Sequence, residues 1–152
     1  MPRAYVGLGA NLGDREAALT GAVDALAADP AIEVVAVSSF RETDPVGYPD
    51  QPRFLNGAAA LDTELGPREL LDRLLAIERA MGRTREGPKY GPRTLDLDLL
   101  LYGDLELDEP GLAIPHPRLH ERAFALGPLL ELNPVLEIPG KGRVQDLMAG
   151  LD

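Results

Sequence analysis

Two aspartates in the second half of the sequence are the residues best suited to metal-assisted chemistry. Asp96 and Asp98 end the segment GPRTLDLD at 91–98, two positions apart on a predicted strand, so both point to the same face. Their Cα atoms would be about 6.6 Å apart at ~3.3 Å per strand residue. Such carboxylates can bind magnesium, which prefers oxygen ligands and occurs as pairs of ions ~3.5–4 Å apart in phosphate-transfer sites. Taken alone, the LDLD pattern favours a strand whose outer face simply carries charge.

A cluster of basic residues before the aspartates changes that interpretation. Five of the fifteen Lys and Arg residues fall within fifteen positions, namely Arg79, Arg83, Arg85, Lys89 and Arg93. The formal net charge of −10 disfavours nucleic-acid binding through the overall field, so a polyanionic ligand must bind locally. Cations for phosphate next to carboxylates for metal indicate a site for phosphate transfer.

An aromatic residue and an amide indicate a planar second ligand. Phe54 and Asn56 share a face of another predicted strand, and such a pair can stack on and hydrogen-bond a heterocycle. Phe124 can close a sandwich around the same ring. Without the neighbouring motifs, the two phenylalanines would be interpreted as core residues. With them, the sequence indicates an enzyme that uses ATP and magnesium to move a phosphate-type group onto a flat, nitrogen-rich molecule.

A histidine between two prolines is a further candidate. His116 lies in IPHPRLH, and a residue fixed in this way can hydrogen-bond a phosphate or a ribose, although it can also simply cap the following helix. Its four-residue spacing from His120 is that of a zinc pair, but no motif indicates a third ligand. Arg118 and Arg122 add positive charge nearby.

The glycine-rich segment GLGANLGD at 7–14 resembles a phosphate-binding turn between a strand and a helix. The dinucleotide fingerprint needs its third glycine one position before Gly13, and a Walker lysine is missing. We therefore interpret Gly7, Gly9 and Gly13 mainly as backbone packing. Asn11 is interpreted first as a turn or cap residue and second as a ligand.

The elements that position these residues follow from hydrophobic periodicity. Strands are predicted at 3–8, 33–40, 54–62 and 94–102, and helices at 14–28 and 67–81. The second helix begins at Pro67, which suits a first helical position, and its apolar stripe reaches Met81. The order β-α-β-β-α-β predicts an α+β, ferredoxin-like core, a mainly antiparallel sheet with helices on one face.

The last fifty residues are predicted to extend this core. We expect short strands near 112–114 and 135–138, a helix near 119–131 and a short final helix. Two connections, 41–53 and 82–93, exceed the usual two to six residues about twofold, which is typical of lids or binding loops. We expect both to close over bound ligands and exclude water.

Composition limits the remaining possibilities. The chain has 152 residues, 45% of them hydrophobic, and fits one domain. It has no cysteine, which excludes disulfides and thiol catalysis, and no run of eighteen apolar residues, which predicts no membrane span. The first residues, MPRAYVGLG, do not read as a secretory signal, so a cytoplasmic location is expected.

Together these motifs resemble the 6-hydroxymethyl-7,8-dihydropterin pyrophosphokinase family of the folate pathway. The resemblance extends through GLGANLGD, SSFRETDPVGYPDQPRFLN, IERAMGRTR, YGPRTLDLDLLLY and IPHPRLHERAFAL. It implies that residues 1–152 form one pyrophosphokinase domain, expected to be monomeric. This domain would transfer pyrophosphate from ATP to 6-hydroxymethyl-7,8-dihydropterin, giving AMP and the pterin diphosphate. Neither nucleic acid nor a membrane would be a partner.

The resemblance also implies residue roles. Two magnesium ions would be held by Asp96 and Asp98, where they bridge the ATP phosphates. The residues expected to act on the phosphates with the aspartates are Arg83, Arg85 and Arg93. Those expected around ATP are Glu78, Lys89, Tyr90, His116 and Arg122. The pterin pocket is expected to consist of Thr43, Val46, Phe54, Asn56 and Phe124, with the ring stacked between the two phenylalanines.

Some positions depart from well-known family members. Tyr90 stands where some have tryptophan, Lys89 where some have arginine, Phe54 where some have tyrosine, and Pro117 where some have tyrosine. Stacking and charge survive these changes. Asp44 adds an acidic residue to the pterin loop.

Two other classes of protein are compatible with the predicted fold. One is a ferredoxin-like binding module, either regulatory or RNA-binding. The acidic charge and the lack of an aromatic-rich RNP1 pattern disfavour RNA, and a regulatory module would not need Asp96 and Asp98 beside a basic loop. The other is a dinucleotide-dependent oxidoreductase, which the misplaced glycine disfavours.

Overall fold

An antiparallel sheet forms the centre of the computed structural model, which describes residues 1–44, 52–81 and 95–151. The sheet contains β1 (Arg3–Ala10), β2 (Ile32–Val37), β3 (Arg41–Thr43), β4 (Phe54–Thr63) and β5 (Asp96–Tyr102). The strand order is β2-β4-β1-β5. β3 also pairs with β4, next to β2 on the edge of β4 that faces away from β1. All pairings among these strands are antiparallel, which confirms the predicted ferredoxin-like α+β arrangement.

Two helices cover one face of this sheet. They are α1 (Arg15–Ala28) and α2 (Pro67–Ala80), close to the predicted ranges. The Asp14 carboxylate caps α1 by accepting a hydrogen bond from the Ala17 N–H at 3.1 Å. The buried apolar layer between helices and sheet includes Leu8, Leu19, Leu26, Leu61, Leu70, Leu74, Leu97 and Leu99. Burial of each leucine contributes about 1.5–3 kcal/mol relative to an exposed position.

The C-terminal extension covers part of the opposite face. It consists of β6 (Leu107–Glu109), β7 (Leu112–Ile114), α3 (Ala123–Leu132), β8 (Glu137–Ile138), β9 (Gly142–Arg143) and α4 (Val144–Ala149). A second apolar core joins α3 to the sheet, where Leu126 and Leu129 cluster with Tyr5, Ala58 and Leu100. Among the helices of the described residues, none has the length and apolar character needed to cross a membrane.

Several details differ from the predictions. β6 and β9 were not predicted, and the strand predicted near 135–138 is only Glu137–Ile138. β2 is shorter because the Ser38 hydroxyl accepts the Ala58 N–H at 2.8 Å in place of a strand carbonyl. The predicted helix at 119–131 is divided into a 3₁₀ turn at Leu119–Glu121 and α3, because Arg122 is extended, with φ −115° and ψ 97°. β3 forms inside the first long connection.

The predicted lid segments are described only in part. Residues 45–51 of the first connection, and 82–94, which include the second, lie outside the described residues. Closure of the two connections over ligands therefore stays a prediction.

Candidate functional site

Asp96 and Asp98 lie at the start of β5, on the sheet face that carries α3. In the register of β1 and β5 they are opposite Gly9 and Gly7, whereas Leu97 between them belongs to the core beneath α1 and α2. Both aspartates are half-buried. The alternation of strand side chains thus brings the two carboxylates to one face, as the sequence predicts.

Two glycines on β1 separate the aspartates from β4. A Cβ atom on Gly9 would lie 2.9 Å from Asn56 Oδ1, closer than real Cβ atoms approach a neighbour, and 4.0 Å from the Asp96 Cβ. A Cβ atom on Gly7 would lie 3.3 Å from Leu100 Cδ1. Because Gly9 lacks a side chain, bare backbone lies between Asp96 and the Asn56 amide, whereas the Leu100 side chain covers Gly7. Beyond packing, Gly9 therefore forms the floor of the candidate site.

Asn56 is a buried polar residue across this strip. It is 7% exposed, and its Nδ2 donates a hydrogen bond to Thr43 Oγ1 on β3. Phe54, on the same face of β4, is half-buried and pairs with Thr43 in the strand register. The structure therefore brings together three of the residues predicted for the planar ligand. β3, which the sequence did not predict, positions one of them.

His116 approaches the aspartates from the C-terminal extension. Its backbone N–H donates to the Leu100 carbonyl of β5 at 3.0 Å, and its imidazole is half-buried. The pKa of His116 is lowered chiefly by burial and next by the charge of the Arg122 guanidinium. Asp96 raises this pKa and Arg118 lowers it, but both effects are smaller. The imidazole is therefore neutral at pH 7.

The tautomer of His116 follows from a contact within its own turn. The Arg118 N–H donates to His116 Nδ1 at 3.4 Å, a long hydrogen bond that requires an unprotonated Nδ1. A neutral ring that accepts this contact carries its proton on Nε2. This atom becomes a donor suited to a phosphate or ribose oxygen.

Arg122 and Phe124 lie where the 3₁₀ turn meets α3. The Arg122 Cζ atom is 5.6 Å from the centroid of the Phe124 ring, which is a cation–π distance. Both side chains are half-buried. Arg122 is thus close to Phe124 and also to His116, whose pKa it lowers.

A cavity of about 420 Å³ opens beside the aspartates. Its polar wall includes Asp96, Asp98 and His116, and its apolar wall includes Leu71 and Leu75 of α2. The volume is in the range of small-molecule sites, which are mostly apolar with a few polar groups. The two leucines were not predicted as binding residues. Their signal in the sequence is the repeated leucine pair of PRELLDRLLAI, which gives α2 a second apolar row beside its buried one.

Glu78 lies on α2, on the core side of β5. It is 2% exposed, and its Oε2 accepts a hydrogen bond from the Leu97 N–H at 2.8 Å. The contact is with the backbone between Asp96 and Asp98. The role around ATP expected for this residue stays a prediction.

Charged residues join the two ends of the first long connection. Arg15 Nη2 lies 2.5 Å from Glu42 Oε1, and Arg15 Nη1 donates to the Arg53 carbonyl at 2.9 Å. Arg53 Nε is in turn 3.2 Å from Asp44 Oδ1. These largely exposed contacts tie the chain before residue 45 to the chain after residue 51. They also show what Asp44 contacts at a position where the sequence alone gave no role.

The donor set fits magnesium held jointly with substrate phosphates. In the parts of the chain that the structure describes, no group of three or more His, Asp, Glu or Cys side chains could hold a metal ion. The zinc spacing of His116 and His120 therefore has no third ligand there. Asp96 and Asp98 offer hard oxygen ligands, and magnesium typically binds one or two carboxylates together with phosphates.

Six residues expected in the site lie outside the described residues. They are Val46, Arg83, Arg85, Lys89, Tyr90 and Arg93. Their roles stay predictions.

Related proteins share the sequence over most of its length. The family model described as 7,8-dihydro-6-hydroxymethylpterin-pyrophosphokinase matches residues 5–134. A 2-amino-4-hydroxy-6-hydroxymethyldihydropteridine pyrophosphokinase from Methylorubrum extorquens is 49% identical over 152 residues, covering 100% of this chain and 95% of the relative. A protein of the same name from Pseudomonas aeruginosa is 48% identical over 147 residues, covering 97% and 90%.

Solved structures share the fold. A structure of HPPK-DHPS in complex with substrates has a TM-score of 0.73 and 12% identity, covering 98% of this chain and 43% of that chain. Wild-type HPPK-DHPS from Plasmodium falciparum with pteroate has a TM-score of 0.75 and 14% identity, covering 98% and 42%. This chain thus spans less than half the length of those chains, and such low identities support the fold alone. Because the family model matches most of the sequence and the relatives are nearly half identical to it, the chain belongs to the 7,8-dihydro-6-hydroxymethylpterin-pyrophosphokinase family.

Proposed function

We propose that the protein transfers the pyrophosphoryl group of ATP to the hydroxymethyl oxygen of 6-hydroxymethyl-7,8-dihydropterin, giving AMP and the pterin diphosphate in folate biosynthesis. Family membership supports this reaction. The observation that carries the assignment of the site is the alignment of Asp96, Gly9 and Asn56 on three adjacent strands. This row offers a place for phosphates beside a place for a polar ring.

The pterin is assigned to the β3–β4 end of the row. Its pocket would consist of Thr43, Val46, Phe54, Asn56 and Phe124. An amide presents a donor and an acceptor side by side, which matches the edge of a pterin ring. The hydrogen bond to Thr43 holds the Asn56 amide plane in advance, which lowers the entropic cost of binding. Stacking on Phe54 and Phe124 would contribute ~0.5–1.5 kcal/mol per aromatic contact beyond burial.

ATP is assigned to the β5 end of the row. Its contacts would come from Arg83, Arg85, Lys89, Tyr90, Arg93, Asp96, Asp98, His116 and Arg122. Asp96 and Asp98 would hold two Mg²⁺ ions, which when bound neutralise phosphate charge and orient the reacting groups. His116 would donate from Nε2 to a phosphate or ribose oxygen, and Arg122 would supply positive charge beside it.

The reaction forms a bond between the hydroxymethyl oxygen and the β-phosphorus of ATP. The bond from that phosphorus to the oxygen of the α-phosphate breaks, so AMP leaves and the hydroxyl proton passes to water. We assign no general base, because loose phosphoryl-type transfer depends on positioning and charge neutralisation more than on proton abstraction. The residues of the row therefore act by holding the two substrates in line.

Analysis of the nucleotide product tests the reaction. Purified protein with ATP, Mg²⁺ and 6-hydroxymethyl-7,8-dihydropterin should give AMP and the pterin diphosphate in equal amounts, and EDTA should abolish both. ADP as the product would show ordinary phosphoryl transfer instead. Magnesium-independent nucleotide binding without turnover would favour a regulatory module.

We further propose that residues 1–152 act as a single monomeric domain in the cytoplasm, without a nucleic-acid or membrane partner. The row of Asp96, Gly9 and Asn56 lies within the sheet of one chain, which supports a site built by a single copy. Sedimentation equilibrium at the assay concentration should give the mass of one chain. A dimer that loses activity on dilution would contradict the monomer.

A further inference from the structure

A carboxylate occupies a core position of α2. The buried residues of this helix are Leu70, Leu74 and Glu78, spaced by four, so Glu78 continues the row that packs on the sheet. Only 2% of Glu78 is exposed. A buried carboxylate costs free energy unless hydrogen bonds compensate its lost hydration. Leucine would suit the packing of this row better, so the carboxyl group needs a reason.

One contact of Glu78 gives that reason. Its Oε2 accepts the Leu97 N–H at 2.8 Å, which leucine at this position could not do, and a buried N–H left without an acceptor is costly. Leu97 stands between Asp96 and Asp98 on β5, which pairs with β1 and, among the strands of the described residues, lies at the end of the sheet. An end strand has one row of backbone groups with no neighbouring strand, and Glu78 binds one of these groups.

Fixing the Leu97 amide also fixes the side chains on either side of it. In a strand, successive side chains point to opposite faces, so the orientation of one peptide sets the directions of its neighbours. If β5 detached at Leu97, the carboxylates of Asp96 and Asp98 would no longer be held side by side over Gly9 and Gly7.

We propose that Glu78 is a positioning residue, which holds the two aspartates in place through the Leu97 amide instead of contacting ATP. This inference rests on the proposed function, because it assigns the aspartates to the phosphate end. Glu78 acts from the core side of the strand, on the opposite side from the substrates.

Two substitutions separate the hydrogen bond from the packing. Glu78→Gln keeps an acceptor oxygen for the Leu97 N–H, whereas Glu78→Leu fills the apolar row and removes the acceptor. We expect Glu78→Leu to lower kcat and to raise the Mg²⁺ concentration for half-maximal rate, each by the ~10–100-fold typical of residues that orient metal ligands. Glu78→Gln should stay within a few-fold of wild type in both. Leu26→Ala, a core change on α1, is the control, and it should lower stability without changing either quantity.

Hydrogen exchange at the Leu97 amide gives a readout without substrate or metal. By NMR, Glu78→Leu should exchange this amide roughly tenfold or more faster than wild type, whereas Glu78→Gln should keep its protection. Unchanged kcat and Mg²⁺ dependence in Glu78→Leu would overturn the proposal. So would a Glu78→Gln variant that loses activity as severely as Glu78→Leu while Leu97 stays protected, because the charge would then act on the substrate.

A further variant and a measurement on the wild-type protein complete the test. If Glu78→Leu does not fold, Glu78→Asp withdraws the carboxylate by one methylene and keeps its charge, and normal turnover with an unprotected Leu97 would overturn the proposal. Failure of the proposed function would be seen in the wild-type protein, as the absence of AMP. Exchange at Leu97 would even then decide whether Glu78 holds the strand.

Discussion

The two ends of the row of site residues are held by contacts of different kinds. At the β5 end the contacts are buried or made by the backbone: the Leu97 N–H donates to Glu78, and the Leu100 carbonyl accepts the His116 N–H. A buried donor left without its acceptor costs about 1–3 kcal/mol, and burial shields such contacts from salt. On our proposal for Glu78, we therefore expect the aspartates to be positioned as soon as the sheet and α2 have folded.

At the β3–β4 end the supporting contacts are ion pairs near the surface. Arg15 contacts Glu42 and the Arg53 carbonyl, and Arg53 contacts Asp44. Exposed pairs contribute about 0–1 kcal/mol each and weaken as salt increases. The β5 end, to which we assign the phosphates, is thus fixed by folding. The β3–β4 end, to which we assign the pterin, depends on surface contacts that weaken as salt increases.

The largest expected effect is the loss of activity when a carboxylate is removed from the end assigned to the phosphates. Asp98→Ala should lower the rate of AMP formation by at least ~10²–10³-fold, the scale for losing one group that stabilises transition-state charge. The circular dichroism spectrum should stay that of wild type, because Asp98 is not part of either apolar core. Asp104→Ala, an exposed change beyond β5, is the control. Near-normal activity of Asp98→Ala would refute the metal role.

A methyl group added at Gly9 should weaken the binding of the pterin more than the binding of ATP. In Gly9→Ala the new Cβ would meet Asn56 Oδ1 at 2.9 Å, so the amide must move. We expect pterin affinity to fall about tenfold or more, equivalent to 1.4 kcal/mol. Gly7→Ala meets a flexible leucine at 3.3 Å and should have a smaller effect on pterin. Titration calorimetry with the pterin compares the two variants, and equal losses would show that Asn56 is not the group displaced.

Loss of the surface pairs should have a modest and salt-dependent effect. Arg15→Ala should raise the KM for the pterin up to about fivefold at low salt, because pairs of this kind contribute no more than ~1 kcal/mol. The difference from wild type should shrink at high salt. Arg3→Ala, which breaks an exposed pair with Asp62 at the other end of β1, is the matched control. If Arg15→Ala changed the KM for ATP but not the KM for the pterin, the Arg15 contacts would not support the end assigned to the pterin.

The smallest expected effect is the change of stability with pH that results from protonation of His116. The pKa of His116 is lowered from 6.5, so the unfolded chain binds the proton more readily than the folded chain. Its contribution to stability is therefore complete above pH 6.5 and is lost as the pH falls from there through the folded pKa. An NMR titration of the Hε1 signal in a His120→Gln variant isolates His116. A midpoint at or above 6.5 would contradict burial as the dominant cause.

The main elements of the fold could be predicted from the sequence because their apolar residues repeat with the period of the element. The stripe of α2 and the alternation on β5 are examples, and both are confirmed. β3 escaped prediction because its three residues, Arg-Glu-Thr, carry no apolar alternation, and it exists only through pairing with β4. Arg122 interrupts a predicted helix for a similar reason, since its extended conformation leaves no mark in the apolar pattern.

The candidate site was predictable where one strand carries two of its residues. The side chains of Asp96 and Asp98 follow from strand alternation alone. The contact of Glu78 with Leu97 and the approach of Gly9 to Asn56 depend on which elements become neighbours in space. Local periodicity contains no such information, so these contacts required the tertiary structure.

The paired leucines of α2 have a consequence for inhibitors. Leu70 and Leu74 pack in the core, while Leu71 and Leu75, one position on, line the cavity beside the aspartates. A rotation of the helix that accommodates a changed core residue would therefore reshape the wall against which a compound binds. Substitutions at Leu70 or Leu74 would then alter the binding of a compound that neither residue contacts.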